Sequence, residues 1–252
     1  MTRVIVVASG KGGVGKTTIA ANLAVALSLF GKKVAVVDAD IVMANLEIIM
    51  GLKNPPVALI DVLKGRLEVE DVIYEGPEGV KIIPAGITLD GFNEENMETL
   101  KTLLKEIPAY IEILVIDAPA GRDAAMVMDR GQEVIIVTVP QVSSVSDALK
   151  MKILAERMGA EVTGAVINMA RGRRYELTVE EIENTLDTSV IAVLPDDEAV
   201  REALAYEMLY VLKYPRARVT RETLSLAANL VGVTYNPEGR GFLHRLLGLF
   251  TH

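Results

Sequence analysis

The stretch "RVIVVASGKGGVGKTTIAANLAVALSLFG", Arg3 to Gly31, decides the fold. Its first seven residues are an almost unbroken β-branched run, the pattern of a strand buried on both faces. Thr17 to Phe30 reads as a helix, with Gly31 placed to close it. Between them, "SGKGGVGKTT" fits G-x-x-x-x-G-K-[ST] with Gly10, Gly15, Lys16 and Thr17 in the required places. Strand, glycine loop and helix in that order form a phosphate cradle. Backbone N–H groups from Gly10, Lys11, Gly12, Gly13, Val14, Gly15, Lys16, Thr17 and Thr18 can close around phosphate oxygens, and the helix N-terminus adds its positive end. Lys16 then supplies charge at the β- and γ-phosphates of a nucleoside triphosphate such as ATP, and the Thr17 hydroxyl is a ligand for Mg²⁺.

Outward from this unit the same alternation continues. "KVAVVDAD" (Lys33 to Asp40), "EILVIDAP" (Glu112 to Pro119), "EVIIVTVP" (Glu133 to Pro140), "VTGAVINM" (Val162 to Met169) and "SVIAVLP" (Ser189 to Pro195) read as further buried strands. Ser143 to Met158, Thr178 to Leu186 and Asp197 to Met208 carry helical patterns. The alternation predicts an α/β fold, a single-domain doubly wound and mostly parallel sheet flanked by helices, as in P-loop nucleoside triphosphatases. Asn54 to Tyr110 is less regular; it holds short helices at "IDVLKG" and "EVEDVIY", a strand at "VKIIPAG" and a helix from about Glu94 to Glu106. The expected organisation is one ATPase domain over 1–235, then a linker and amphipathic tail over 236–252.

Composition narrows the chemistry. The 252 residues contain no cysteine, which excludes disulfides, thiolate metal sites and iron–sulfur clusters. No apolar run approaches the roughly 20 residues that span a bilayer, and "MTRVIVVASGKGG" lacks the apolar block of a signal peptide. A cytoplasmic setting is expected. The net charge of −8 argues against broad nucleic-acid binding.

Three aspartates complete the site. Asp38 and Asp40 lie just past one buried strand, and Asp117 ends another, where a carboxylate faces a metal held at the loop. One strand-end aspartate is equally a turn former; three beside a phosphate loop point to phosphoryl transfer, which needs positioning and charge neutralisation rather than a histidine or cysteine.

Lys11 gives the motif its finer character. A second lysine just inside the loop, in "KGGVGKT", resembles the deviant Walker A motif of the ParA/MinD superfamily of P-loop ATPases. The resemblance implies that Lys11 reaches the phosphates of a partner subunit in an ATP-bound homodimer, in the role of an arginine finger. It also implies that Asp40 orients the attacking water and that Asp117 is the Walker B carboxylate. Asp38 has two readings, holding a Mg²⁺-bound water or bracing the loop. Asn168, at the end of "AVINM", either caps a turn or reads the adenine edge; the resemblance favours the reader. The arginine that usually follows is Met169 here, a departure. "LPDDEAVREA" resembles the loop whose backbone lines the adenine pocket, which adds Pro195, Asp196 and Asp197.

Within the superfamily, the iron–sulfur members need cysteines that this chain lacks. "DADIVMANLEIIMG" and "VPQVSSVSDALKM" resemble the corresponding MinD stretches, and so does the tail "RGFLHRLLGLF". On a helix, Phe242, Leu243, Leu246, Leu247, Leu249 and Phe250 occupy an arc of roughly 160°, with His244, Arg245 and Gly248 opposite. Ten residues span only about 15 Å, too short to cross a bilayer, and an apolar face opposite a basic one describes a helix lying in the membrane interface. An amphipathic end can also dock on its own core; the break at "NPEGRG" and the likeness of "RGFLHRLLG" to the MinD membrane-targeting sequence favour the phospholipid surface. Two tails in an ATP-bound dimer would gain about 10²–10⁴ in avidity over one. The expectation is thus a Mg²⁺-dependent MinD-like ATPase, moving between the cytoplasm and the inner face of the membrane. A protein partner stimulates or reads it. The rival readings are a ParA-like DNA partition ATPase and a nucleotide-gated scaffold with little turnover.

Overall fold

A computed structural model describes residues 2–41, 43–86 and 94–236; the tail residues Phe242, Leu243, Leu246, Leu247, Leu249 and Phe250 lie outside them. In chain order the regular elements begin β1 (Arg3–Ser9), α1 (Lys16–Leu29), β2 (Val34–Asp38), α2 (Leu46–Ile49), α3 (Leu59–Leu63), β3 (Tyr74–Glu75), β4 (Lys81–Ile83) and α4 (Glu94–Lys105). They continue with β5 (Ile113–Ala120), β6 (Glu133–Thr138), α5 (Val142–Arg157), β7 (Glu161–Ala170), α6 (Val179–Leu186), β8 (Val190–Pro195), α7 (Glu198–Ala205), α8 (Tyr210–Lys213) and α9 (Arg218–Val231).

The strands form one sheet in the order β3-β4-β2-β5-β1-β6-β7-β8, parallel throughout except for the β3–β4 edge pair. The expected doubly wound architecture is what forms. The reason is the burial pattern: Ile5, Val6, Val7 and Ala8 of β1 are all fully buried, so both faces of the central strands need helical cover. One face packs against α3 to α6, with Leu59, Leu100, Ala148 and Ile182 in that core. The other packs against α1, α8 and α9 around Leu23, Val211 and Leu224. Helix α1 is apolar on nearly every side, and such a helix must be enclosed; α9 lies against it and completes the enclosure.

Three local expectations change. "EVEDVIY" forms a 3-10 turn at Val69–Val72 followed by β3, an antiparallel edge strand. Helix α7 stops at Ala205 rather than Met208, because Glu207 adopts a left-handed conformation (φ 53°) that turns the chain. Helices α8 and α9 occupy a region with no expected element. The periodicity of α9 is diluted by Thr220 and Thr223 on its buried face. Their hydroxyls are satisfied: Thr220 donates to the Tyr214 carbonyl at 2.8 Å, and Thr223 shares a 2.8 Å bond with the Tyr210 hydroxyl. A paired hydroxyl sits in a core at little cost, yet reads as polar in a hydrophobicity pattern.

Candidate nucleotide site

The C-terminal ends of β1, β2, β5, β7 and β8 bring the motif residues together on one rim of the sheet, where the order of winding reverses. The loop from Gly10 to Gly15 leaves β1 there and turns directly into α1. Gly15 is the N-cap of α1, with φ 86° and no side chain to bond the first-turn N–H groups. Those donors, on Lys16, Thr17 and Thr18, are left to an external acceptor, as a phosphate cradle requires. Gly15 has two reasons to be glycine. Its backbone is left-handed, and an added Cβ would collide with Nδ2 of Asn168. Gly10 is similarly constrained, since a Cβ there would strike the Asp147 carbonyl of α5. The Ser9 hydroxyl donates to the Lys11 carbonyl at 2.9 Å and shapes the loop's start.

Lys16 and Asp117 meet beneath this loop. The ammonium Nζ stands 2.9 Å from Oδ1 of Asp117, and both side chains are buried. Burial raises the Asp117 carboxyl above its usual range, opposed by the Lys16 charge and the Thr17 hydroxyl, while Asp40 pushes it further up. Its second oxygen, Oδ2, is buried with no hydrogen-bond partner among the described residues. A buried carboxylate oxygen without a donor is costly unless a ligand completes it.

Asp38 lies across from Asp117 in the β2–β5 register. Its Oδ1 accepts from the Asp40 N–H at 3.0 Å, and its Oδ2 from the Asn45 and Leu46 N–H groups at 3.1 Å each. Of the two expected readings, bracing the loop is the one with visible geometry. Burial, reinforced by the Asp117 charge, pushes this carboxyl up to about 8, although the three backbone donors oppose the shift. Asp40 is half-buried and accepts from the Met43 N–H at 3.1 Å. Lys11 is half-buried and makes no ion pair among the described residues.

This donor set suits a hard cation that keeps part of its water. The Thr17 hydroxyl and the free Asp117 oxygen offer oxygen ligands. Among the described residues, no three carboxylates or imidazoles gather into a cage of their own. Mg²⁺ is bound in that way, through one or two protein oxygens and the substrate's phosphates.

The base-side residues have structural duties as well. Asn168 donates from Nδ2 to the Val14 carbonyl at 2.8 Å, tying β7 to the glycine loop. Pro195 ends β8 opposite Ala170. Asp196 is clamped between Arg171 at 2.6 Å and Arg201 at 2.5 Å. Asp197 caps α7 by accepting from the Ala199 N–H at 3.0 Å, and its other oxygen reaches the Val219 N–H at 3.3 Å. The side chains of Asp196 and Asp197 are thereby occupied, which leaves the backbone of this loop to line a pocket.

Sequence reasoning passed over Asn22. This fully buried amide donates to the Thr18 carbonyl at 2.8 Å and accepts from the Val211 N–H at 3.1 Å, joining the first turn of α1 to α8. The available signal was a single amide inside an otherwise apolar, alanine-rich helix.

Known proteins share this fold and much of this sequence. Residues 5–210 match the family model described as the CobQ/CobB/MinD/ParA nucleotide binding domain. An uncharacterized ATP-binding protein of Methanocaldococcus jannaschii is 47% identical over 240 residues, covering 94% of this chain and 91% of the relative. The cell division ATPase MinD of Pyrococcus furiosus superposes with a TM-score of 0.84 at 33% identity, covering 92% of this chain and 99% of that one. The septum site-determining protein MinD of Pyrococcus horikoshii, solved with Mg-ADP, gives 0.82 at 31% identity, covering 91% and 96%. With the family model matching residues 5–210, most of its length, the chain belongs to the CobQ/CobB/MinD/ParA family of nucleotide-binding proteins.

Proposed function

We propose that this chain is a MinD-type, Mg²⁺-dependent ATPase that pairs on ATP and uses its nucleotide state to control where it sits in the cell. The observation that carries the reading is the Lys16–Asp117 pair, buried beneath an uncapped helix N-terminus, with one carboxylate oxygen unpartnered among the described residues.

The roles follow from charge and position. The N–H groups from Gly10 to Thr18 hold the phosphates, and Lys16 turns from Asp117 toward the β- and γ-oxygens. Thr17 and Asp117 are the residues that would hold Mg²⁺, which when bound neutralises developing charge on the transferred phosphoryl group. Asp38 keeps the loop to α2 in register, so that Asp40 can orient the attacking water. Lys11, with no ion pair among the described residues, is available to a partner subunit's phosphates. Asn168 faces the adenine edge, and the backbone of Pro195, Asp196 and Asp197 lines its pocket.

Residues 1–235 constitute the ATPase domain, and 236–252 the linker and membrane-targeting segment. Pairing presents two such segments to the inner face of the membrane, so ATP favours the bound state and hydrolysis returns the protein to the cytoplasm. A protein partner sets the hydrolysis rate, and the process served is spatial positioning such as division-site selection. Among the described residues no helix is long and apolar enough to cross a membrane.

Liposome co-sedimentation with ADP or ATP tests the reading, comparing the full chain with one ending at Pro237. ATP-dependent binding by the full chain alone is expected. Equal lipid binding by both would remove the tail from the mechanism.

A further inference from the structure

Between the strand that ends at Ser9 and the helix that begins at Lys16, the loop is held unevenly. Gly10 is wedged: a Cβ there would strike the Asp147 carbonyl of α5, and the Cβ position of Gly121 stands 3.7 Å from the Gly10 carbonyl oxygen. Gly12 and Gly13 are the reverse. Both are exposed, and a Cβ added to either would meet nothing within 4 Å. Packing therefore fixes the residue before Lys11 and leaves the two after it loose, where glycine has the widest choice of backbone angles.

A buried side chain acts on that loose end. Ser9 is fully buried, and its hydroxyl reaches forward to donate to the Lys11 carbonyl at 2.9 Å. The β1–β5 ladder slips between Val7 and Ser9, so regular sheet pairing gives way where this bond begins. The Lys11–Gly12 peptide is trans and carries its N–H on the opposite side from its C=O. With the C=O drawn back to Ser9, the Gly12 N–H is aimed away from the strand. Lys11 is then fixed on both flanks, by wedged Gly10 before it and the tethered peptide after it.

We propose that Ser9 is a positioning residue for ATP hydrolysis: its hydroxyl sets the Lys11–Gly12 peptide, so that the Lys11 ammonium and the Gly12 N–H are presented together to the phosphates of a second copy of this chain. The proposal rests on the reading that Lys11 serves a partner subunit. Ser9 touches no nucleotide and acts through Lys11. Phosphate affinity within its own subunit, carried by Lys16 and the first-turn N–H groups of α1, is independent of it.

The full chain is compared with Ser9→Ala, Ser9→Thr, Lys11→Ala and the double variant Ser9→Ala/Lys11→Ala. Single-turnover ATP hydrolysis, ATP affinity by calorimetry and melting temperature are measured for each. Ser9→Ala is expected to slow hydrolysis about tenfold, to bind ATP within about threefold of the parent and to melt where the parent does. Ser9→Thr, which retains the hydroxyl, should hydrolyse ATP within about threefold of the parent rate. In the Lys11→Ala background, removing the hydroxyl should change the rate by less than about twofold, because residues that act as one unit are not additive. The full loss in that background, or an unchanged rate in Ser9→Ala alone, overturns the positioning role. So does an equal loss of rate and ATP affinity, which marks a general loosening of the loop. A Lys11→Ala protein that hydrolyses ATP at the parent rate would instead overturn the partner-lysine reading, and the role of Ser9 with it.

Discussion

Nζ of Lys16 and Oδ1 of Asp117, 101 positions apart in sequence, form a 2.9 Å ion pair at the base of the glycine loop. The pair joins the start of α1 to the end of β5. It places the cation proposed for the phosphates on the carboxylate proposed for the metal, so each compensates the other's buried charge. A buried charge with a partner is tolerable; without one it is not.

Removing the lysine should therefore cost both activity and stability. Lys16→Ala is expected to lower ATP turnover by at least about 10²-fold. It should also destabilise the nucleotide-free protein by on the order of 3 kcal/mol, since Asp117 is left buried and unpaired. Lys16→Ala combined with Asp117→Asn should recover most of that stability and none of the activity. Urea unfolding and phosphate release are the two measurements.

Asp40 is separable from binding. Its side chain accepts one loop N–H and is not part of the buried ion pair. Asp40→Ala should bind ATP within a fewfold of the parent while slowing single turnover by about 10²–10⁴, and it should accumulate as a dimer by light scattering. Normal turnover in this variant would exclude the assigned role.

The raised carboxyl of Asp38 makes a pH prediction. With a folded pKa near 8 against an ordinary 3.8, the folded state holds a proton that the unfolded state has lost. Stability of the nucleotide-free protein should thus be highest at the acid end of this window. It should fall as pH rises from about 4 to about 8, then level off. Asp38→Asn should flatten that slope, even if it is less stable throughout because its amide group faces backbone donors. Melting temperatures at pH 5, 6.5 and 8 decide the matter.

Asn22 should behave as a structural tie. Asn22→Leu leaves the Val211 N–H buried without its acceptor, at a cost of about 1–3 kcal/mol, and adds bulk beside α8. Asn22→Ser, which can hold one of the two bonds, should cost less. Chemical denaturation of the three proteins gives the comparison.

Much of the site was legible because its signals are local. Glycine spacing, a lysine at the helix start and aspartates at strand ends are each read within a dozen residues, and they fall on one rim because parallel strands all point their C-termini the same way. Helix α9 was not legible, since Thr220 and Thr223 hide in its buried face behind paired hydroxyls. The early end of α7 was not legible either, because it depends on a left-handed Glu207 that no propensity announces.

From the order of residues alone came the α/β class, the phosphate loop and the roster of carboxylates. Those are properties of period and spacing, and they hold wherever the segments are placed. Folding settled the rest: that Asp38 caps a loop, that Lys16 rests on Asp117 and that Asn168 ties β7 to the glycine loop. Each of these depends on which strands become neighbours and how far they slip in register, and that is set by packing two cores at once across a sheet rather than by any one stretch of chain.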